Sequence, residues 1–247
     1  SAPYVASSTL IGITITSGNN LDSVAYEVHN SSAALIEGQQ NKTPPQTQTW
    51  VYTISPASWK EGDFHLISVF ANDTGGQWNQ VNFTYIKDDT NPEAFAPGIS
   101  DADNLVKSTT NFQINITALD YISGVALVVV GNESNVSMSN IGGNTYSVVT
   151  NASALGCTAL DGVCALKFVV VDNVGNVNDS VIYPLQIDDL NPAVTYPAIS
   201  DADSLVKSTT NFQINVTVVD THLEIVLVRN STAVAMSLLS GTTYSVV

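Results

Sequence analysis

Short runs of β-branched and aromatic residues, in which apolar and polar positions alternate, dominate this chain. Runs of this kind bounded by Gly, Asn, Asp or Pro predict β-strands. No stretch has the apolar period of an amphipathic helix. The predicted strands cover residues 10–16, 24–28, 49–54, 65–70, 81–86, 112–118, 125–130, 145–149, 165–171 and 181–187. We therefore expect an all-β chain.

One segment recurs along the sequence. GISDADNLVKSTTNFQINITALD, residues 98–120, returns as residues 198–220 with eighteen of twenty-three positions identical. Such a period indicates a tandem array in which each unit holds its own core. Segments 87–92 and 187–192 each contain Asp-Asp followed by Asn-Pro, which suits a short, stiff joint. The predicted domains are module one (1–90), module two (91–190) and module three (191–247).

Module three is expected to be the N-terminal part of a larger unit. Residues 244–247 align with residues 146–149 of module two. A sandwich cut at that point has open edges and an unburied face. We expect the natural polypeptide to continue, and residues 1–3 resemble the downstream half of another joint.

The predicted last hairpin of module two carries a family resemblance. Two further predicted strands, 94–100 and 136–140, bring module two to about seven, the immunoglobulin-type count. Its segment VVVDNVGNVNDSVIYPLQIDD, residues 169–189, resembles the last hairpin of Ig-like repeat domains in bacterial and archaeal cell-surface proteins, and residues 69–89 are a looser version. The resemblance implies tandem Ig-like β-sandwiches in a cell-surface setting, and it implies no activity.

The composition restricts the partners of the chain. Seven Lys and Arg oppose 22 Asp and Glu, for a formal net charge of −15. This balance repels nucleic acid and anionic lipid and attracts cations. The longest apolar run, residues 125–130, is too short to cross a bilayer as a helix. We expect no nucleic-acid partner and no membrane span in this segment.

N-linked glycosylation is the strongest chemical signal. The chain contains eleven Asn-x-Ser/Thr sequons, where chance would supply about five. In strand 112–118 the apolar residues alternate, which places Asn115 on the solvent side. An accidental excess on an Asn- and Thr-rich surface is the alternative. The sequons begin at Asn30, Asn41, Asn72, Asn82, Asn115, Asn132, Asn135, Asn151, Asn178, Asn215 and Asn230.

The two cysteines, Cys157 and Cys164, lie in the predicted loop before the sixth strand of module two. A disulfide within that loop is the favoured interpretation, because the alternative metal pair lacks nearby ligands. A disulfide would place the chain in an oxidising, extracytoplasmic compartment.

Acidic residues recur near the predicted joints. In an Ig-type sandwich the loop after the first strand and the C-terminal exit lie at the same pole. Acidic residues at these two places in module two would therefore face Asp220 of module three. Oxygen-rich clusters suit calcium, whereas Asp residues that cap turns are the alternative. The candidate calcium ligands are Asp101, Asp103, Asp188, Asp189 and Asp220.

No residue pattern supports catalysis. His29, His65 and His222 are scattered, and none has a nucleophile or a metal partner at helical spacing. Trp78 follows a Gly-Gly turn, where it could stack on a sugar or pack against an adjoining module. We predict that the chain is not an enzyme and requires no cofactor apart from structural calcium and N-linked glycans.

The sequence favours a structural subunit of an extracellular surface assembly, an S-layer or a surface filament of archaeal character, that self-associates. An adhesin stalk that presents a binding domain to glycans or cells is the second interpretation. An accessory region of a secreted enzyme is the third. If filaments form, we expect subunits to meet through a sheet edge or a module pole.

Overall fold

The computed structural model describes residues 2–42, 48–158, 161–200, 211–220, 222–229 and 232–247. Within these ranges the regular structure consists of β-strands and one 3-10 turn, Pro56–Ser58, whose N-cap is Ser55. None of the described segments forms a helix of the length and apolarity needed to cross a membrane.

Module one is a two-sheet sandwich. Its five-stranded sheet has the order β1-β7-β6-β3-β4, and β2 pairs with β5 opposite it. The core lies between the sheets around Tyr26, Val28, Ile54 and Ile67, all at most 2% exposed. The strands are β1 (Tyr4–Val5), β2 (Ile11–Thr16), β3 (Leu21–His29), β4 (Leu35–Lys42), β5 (Thr49–Ile54), β6 (Phe64–Asp73) and β7 (Trp78–Lys87).

Module two repeats this plan with a more complete second sheet. One sheet has the order β13-β14-β10-β8, and the other has the order β12-β11-β15-β17-β9 with β16 beside β15. The strands are β8 (Glu93–Ile99), β9 (Leu105–Val106), β10 (Phe112–Leu119), β11 (Val125–Gly131), β12 (Asn135–Ser137), β13 (Ser139–Gly142), β14 (Thr145–Thr150), β15 (Asp161–Asp172), β16 (Val177–Asn178) and β17 (Ile182–Asp188).

Module three contains a four-stranded sheet and a hairpin. The sheet order is β18-β19-β23-β22, and β20 pairs with β21. A small core forms around Val216, Val218 and Met236. The strands are β18 (Ala193–Ile199), β19 (Ile214–Val219), β20 (Leu227–Arg229), β21 (Ala233–Ala235), β22 (Ser237–Ser240) and β23 (Thr243–Val246).

The predicted all-β, tandem Ig-like fold is confirmed. In module two the opening strand divides into two parts that join different sheets. The first part, β8, pairs with β10 in one sheet, and the second part, β9, pairs in parallel with β17 in the other. β1 makes the same parallel contact with β7 in module one. The predicted strands occur, except that segment 136–140 divides into β12 and β13. The alternation in β10 places Phe112, Ile114 and Ile116 in the core.

The structure adds features that the strand pattern did not predict. Strand β4 was not predicted. The predicted cysteine loop is also shorter than expected, because β15 begins at Asp161 and Cys164 lies within the strand.

Candidate metal centre

Three carboxylates meet where module one joins module two. Asp88 directly follows β7, Asp120 directly follows β10, and Asp172 is the last residue of β15. Each offers an oxygen, and these three oxygens lie within 4.8 Å of one another. Because Asp88 belongs to module one and the other two to module two, the cluster spans the joint.

Backbone amides hold each carboxylate in place. Asp172 Oδ1 accepts hydrogen bonds from Val174, Gly175 and Asn176 at 2.9, 2.7 and 2.9 Å. Asp120 Oδ1 accepts from the amides of Ile122, Ser123 and Gly124 at 3.1–3.2 Å. These residues therefore cap turns and still present their remaining lone pairs to the cluster.

Asp88 is the most enclosed member. It is 0% exposed and Asp172 is 2% exposed. Asp88 Oδ1 accepts a hydrogen bond from the amide of Thr90, and Asp88 Oδ2 accepts one from the amide of Ser123, both at 3.1 Å. Burial raises the pKa of Asp88, and the charges of Asp120 and Asp172 add to that increase.

A buried hydroxyl faces the same carboxylate. Ser123 is 8% exposed, and its hydroxyl lies close enough to the Asp88 carboxylate to lower the pKa of that carboxyl. The hydroxyl therefore adds a fourth oxygen beside the three carboxylates.

The donor set fits calcium. Calcium takes six to eight oxygen ligands at about 2.3–2.6 Å, so two of its ligands can lie up to about 5 Å apart. The three clustered oxygens meet that limit, and their summed charge of about −3 needs a cation. Carboxylate oxygens without imidazole or thiolate favour a hard ion over zinc.

Direct contacts also fix the joint. Asn176 Nδ2 donates to the carbonyl oxygens of Asp88 and Thr90 at 3.1 and 3.3 Å, and Asn178 Nδ2 donates to Pro92 O at 2.8 Å. A Cβ placed on Gly62 would lie 3.7 Å from Ile122 Cδ1, so the two residues are near van der Waals contact.

The acids predicted from sequence lie at the second joint. Asp188 lies beside Asp161 and His222, with His222 Nδ1 3.3 Å from Asp188 Oδ2. Asp220 Oδ1 accepts from the amide of His222 at 2.7 Å. Asp189 Oδ1 accepts from the Ser108 amide at 2.8 Å.

Asp101 and Asp103 form a pair in the first loop of module two. Their mutual hydrogen bond raises the pKa of Asp101 and lowers that of Asp103. Asp103 Oδ1 also accepts from the amide of Leu105 at 3.0 Å. Neither belongs to the two acidic groups found in the described residues.

Sequence reasoning missed the first joint as a site, although the repeat held the signal. Moving Asp188 and Asp220 back by one period gives Asp88 and Asp120. The corresponding pole of module one has an asparagine, Asn19, in place of Asp120. Asn19 Nδ2 donates a hydrogen bond to Asp73 Oδ2 at 3.2 Å. Hydrogen bonds from the Gln77 amide and Asn19 lower the pKa of Asp73.

The sequons differ in exposure. Asn82, Asn132 and Asn135 are exposed. Partly buried sequon residues are Asn30, Asn72, Asn115, Asn151, Asn178 and Asn215. The side chain of Asn41 and all of Asn230 lie outside the described residues.

Cys157 and Cys164 form a disulfide with a Cα–Cα distance of 5.8 Å. Trp78 is 74% exposed in the described structure. His65 is fully buried against Trp59, and His29 lies 3.7 Å from Glu27. No nucleophile–base pair involves these imidazoles among the described residues.

The similarity of this chain to known proteins is at the level of solved structures. No protein-family model matches the sequence, and no curated protein matches it. Similar solved structures are adhesin repeat domains and Ig-like ectodomains.

A structure of a 1.5-MDa bacterial ice-binding adhesin is 15% identical, with coverage of 98% of this chain and 81% of that chain and a TM-score of 0.38. A Ca²⁺-stabilised adhesin with which an Antarctic bacterium binds ice is 14% identical, with coverage of 98% and 62% and a TM-score of 0.44. The ectodomain of mouse nectin-like molecule 4 is 13% identical, with coverage of 99% and 86% and a TM-score of 0.38.

Proposed function

We propose that this chain is a structural spacer of an extracellular surface assembly, an S-layer or a surface filament, in which calcium stiffens the joint between modules one and two. The domains divide near residues 90 and 190. The Asp88–Asp120–Asp172 cluster carries the proposal, because three carboxylates from two modules converge with no Lys or Arg paired to them among the described residues. A cation bound there ties the modules together.

The first test measures thermal unfolding with calcium and with a chelator. Without calcium, three mutually repelling carboxylates oppose the joint, and bound calcium stabilises the folded state by mass action. We expect calcium to raise the Tm of the wild-type chain by several degrees. In Asp120→Asn, that response should shrink or disappear.

The matched control is Asp22→Asn, an exposed acid of module one that accepts a hydrogen bond from Asn72 at 3.4 Å. It changes net charge by the same amount and lies away from the joint. An equal calcium response in Asp22→Asn and Asp120→Asn would show that calcium acts through general screening and not through the cluster.

We propose that glycans cover the outer strand faces. Asn82, Asn132 and Asn135 offer exposed amides, so they are the first candidates for occupancy. Peptide mapping of the natural protein, with enzymatic deglycosylation in heavy-oxygen water, would show mass-labelled Asp at these positions. Unmodified asparagine at all three would contradict the proposal.

Self-association is proposed to use a sheet edge of module two, where β13 is an edge strand. An exposed strand edge can pair with a strand of another molecule, and Ile141 of β13 is 60% exposed. Regular sheets or fibres from purified protein are the expected result, with assembly reduced in Ile141→Lys. The control Val149→Lys alters a residue that is 66% exposed on module two.

An adhesin stalk is the second candidate, and the exposed Trp78 favours it because an exposed indole can stack on a sugar. This function predicts a monodisperse rod that binds cells or glycans. Trp78→Ala should then weaken glycan binding, whereas a purely structural subunit would show no glycan binding to lose.

A further inference from the structure

The second joint contains a different set of donor groups from the first. Asp161 begins β15, Asp188 ends β17, and His222 follows β19 in module three. One oxygen of each carboxylate and one imidazole nitrogen lie within 4.8 Å of one another. The site therefore joins two acids of module two to an imidazole of module three.

The two acids oppose each other directly. Asp161 and Asp188 are register partners in the antiparallel β15–β17 ladder. Like charges at directly opposed positions destabilise a sheet. A cation between them offsets that repulsion.

The first joint has apolar groups at the equivalent positions. Ile122 occupies the position of His222, one period earlier. Gly62 lies opposite Asp88 at the position of Asp161, and its amide donates to Lys87 O at 2.9 Å. Thus a glycine–isoleucine contact at one joint is replaced by an aspartate–histidine pair at the other.

This paired replacement changes the ligand chemistry. Imidazole is a poor ligand for calcium and a good one for zinc and neighbouring transition metals. His222 Nδ1 lies 3.3 Å from Asp188 Oδ2, and two ligands of tetrahedral zinc with bonds of about 2.0–2.1 Å lie about 3.3 Å apart. We infer that Asp161, Asp188 and His222 form a zinc-class metal site that links modules two and three.

The site differs from the proposed calcium site in residues, donors and ion, and it does not depend on that proposal. Three protein ligands leave the fourth position of a tetrahedral ion to water. His222 is 32% exposed and Asp188 is 16% exposed at the side chain, so an ion can enter from solvent.

The test titrates zinc chloride into the tag-free 247-residue chain, stripped of metal and held in millimolar calcium, with heat of binding as the readout. We expect one zinc per chain with a micromolar Kd. Cobalt as a substitute should give visible absorption bands of tetrahedral coordination, which report the site without any activity assay.

The variants restore the residues of the first joint. His222→Ile and Asp161→Gly should each weaken zinc binding by about tenfold or more, because each removes a ligand. Asp22→Asn and His29→Gln should leave zinc binding unchanged, since they alter an exposed acid and an imidazole of module one. Far-ultraviolet circular dichroism checks that each variant is folded.

Two results would overturn the inference. Zinc binding that persists unchanged in His222→Ile would place the ion elsewhere. An absence of zinc binding, together with a lower Tm of His222→Ile, would mean that His222 and Asp188 form only an ion pair.

Discussion

His65 is an uncharged histidine sealed in the core of module one. It is 0% exposed, and its ring stacks on Trp59 with centroids 4.5 Å apart. Both ring nitrogens and Trp59 Nε1 lack hydrogen-bond partners among the described residues. Burial lowers the pKa of His65 because the charged imidazolium cannot be solvated there.

The consequence is an acid-sensitive module. Unfolded His65 takes up a proton near pH 6.5, whereas folded His65 does so only at lower pH. The unfolded state therefore binds more protons as the pH falls below about 6.5, and the free energy of unfolding decreases. Above that pH the stabilisation from neutral His65 is fully present.

We predict that His65→Phe removes part of this pH dependence and raises the free energy of unfolding at neutral pH by about 1 kcal/mol, because it replaces unpartnered nitrogens with apolar carbon. Urea unfolding followed by tryptophan fluorescence reports module one, which holds all three tryptophans. The control is Val51→Ala, at a residue of module one that is 64% exposed and does not titrate, and it should keep the wild-type pH dependence. If the free energy of unfolding changed with pH as steeply in His65→Phe as in the wild type, this assignment would be contradicted.

At the scale of elements, the segment 151–157 closes the core of module two. Ala152 and Leu155 are fully buried, and Leu155 O accepts hydrogen bonds from the amides of Asn132 and Ser134 at 2.8 and 3.4 Å. Gly156 has φ +81°, and a Cβ there would lie 2.6 Å from Ser134 N. Only glycine permits this close approach of the two loops.

We predict that Leu155→Ala lowers the free energy of unfolding by about 2–5 kcal/mol, since it opens a cavity in a packed core. The exposed Val149→Ala should change it by no more than about 0.5 kcal/mol. Chemical unfolding monitored by far-ultraviolet circular dichroism measures both. A small effect of Leu155→Ala would mean that the loop detaches from the core at little cost.

These elements show what the sequence could predict. The alternation of apolar and polar residues in 112–118 predicts which side chains are buried, because such a strand has one buried face. Leu155 lies in a segment without periodicity, and its burial depends on hydrogen bonds to a turn about twenty residues away. Strand β4 ends in Gln, Asn and Lys, which do not mark a strand.

The candidate sites, like the strands, could be predicted only in part from the sequence. The repeat identified acids near the second joint, but the assignment of Asp161 and His222 required the strand register and the placement of module three. Neither can be read from local sequence. His65 has a similar explanation, since nothing near it in sequence distinguishes a buried imidazole from a surface one.

At the scale of the whole molecule, calcium should reduce the motion between modules one and two more than it changes their average arrangement. The direct hydrogen bonds from Asn176 to Asp88 and Thr90 already orient modules one and two, and the ion would suppress the remaining hinge motion. We predict a narrower distribution of pair distances in small-angle X-ray scattering with calcium than with a chelator. Asp120→Asn should scatter like the chelated wild type in both conditions, and a calcium-dependent narrowing in that variant would contradict this role.

The difference between the two joints has a genetic consequence. If the coding DNA of the similar segments 98–120 and 198–220 recombined unequally, one hundred residues would be deleted in frame. The shortened chain would place His222 where Ile122 now lies, near Gly62. It would keep carboxylates at Asp88 and Asp220 but lose Asp161, Asp172 and Asp188. A chain shortened in this way would complete neither candidate metal centre, although the repeats themselves are nearly interchangeable.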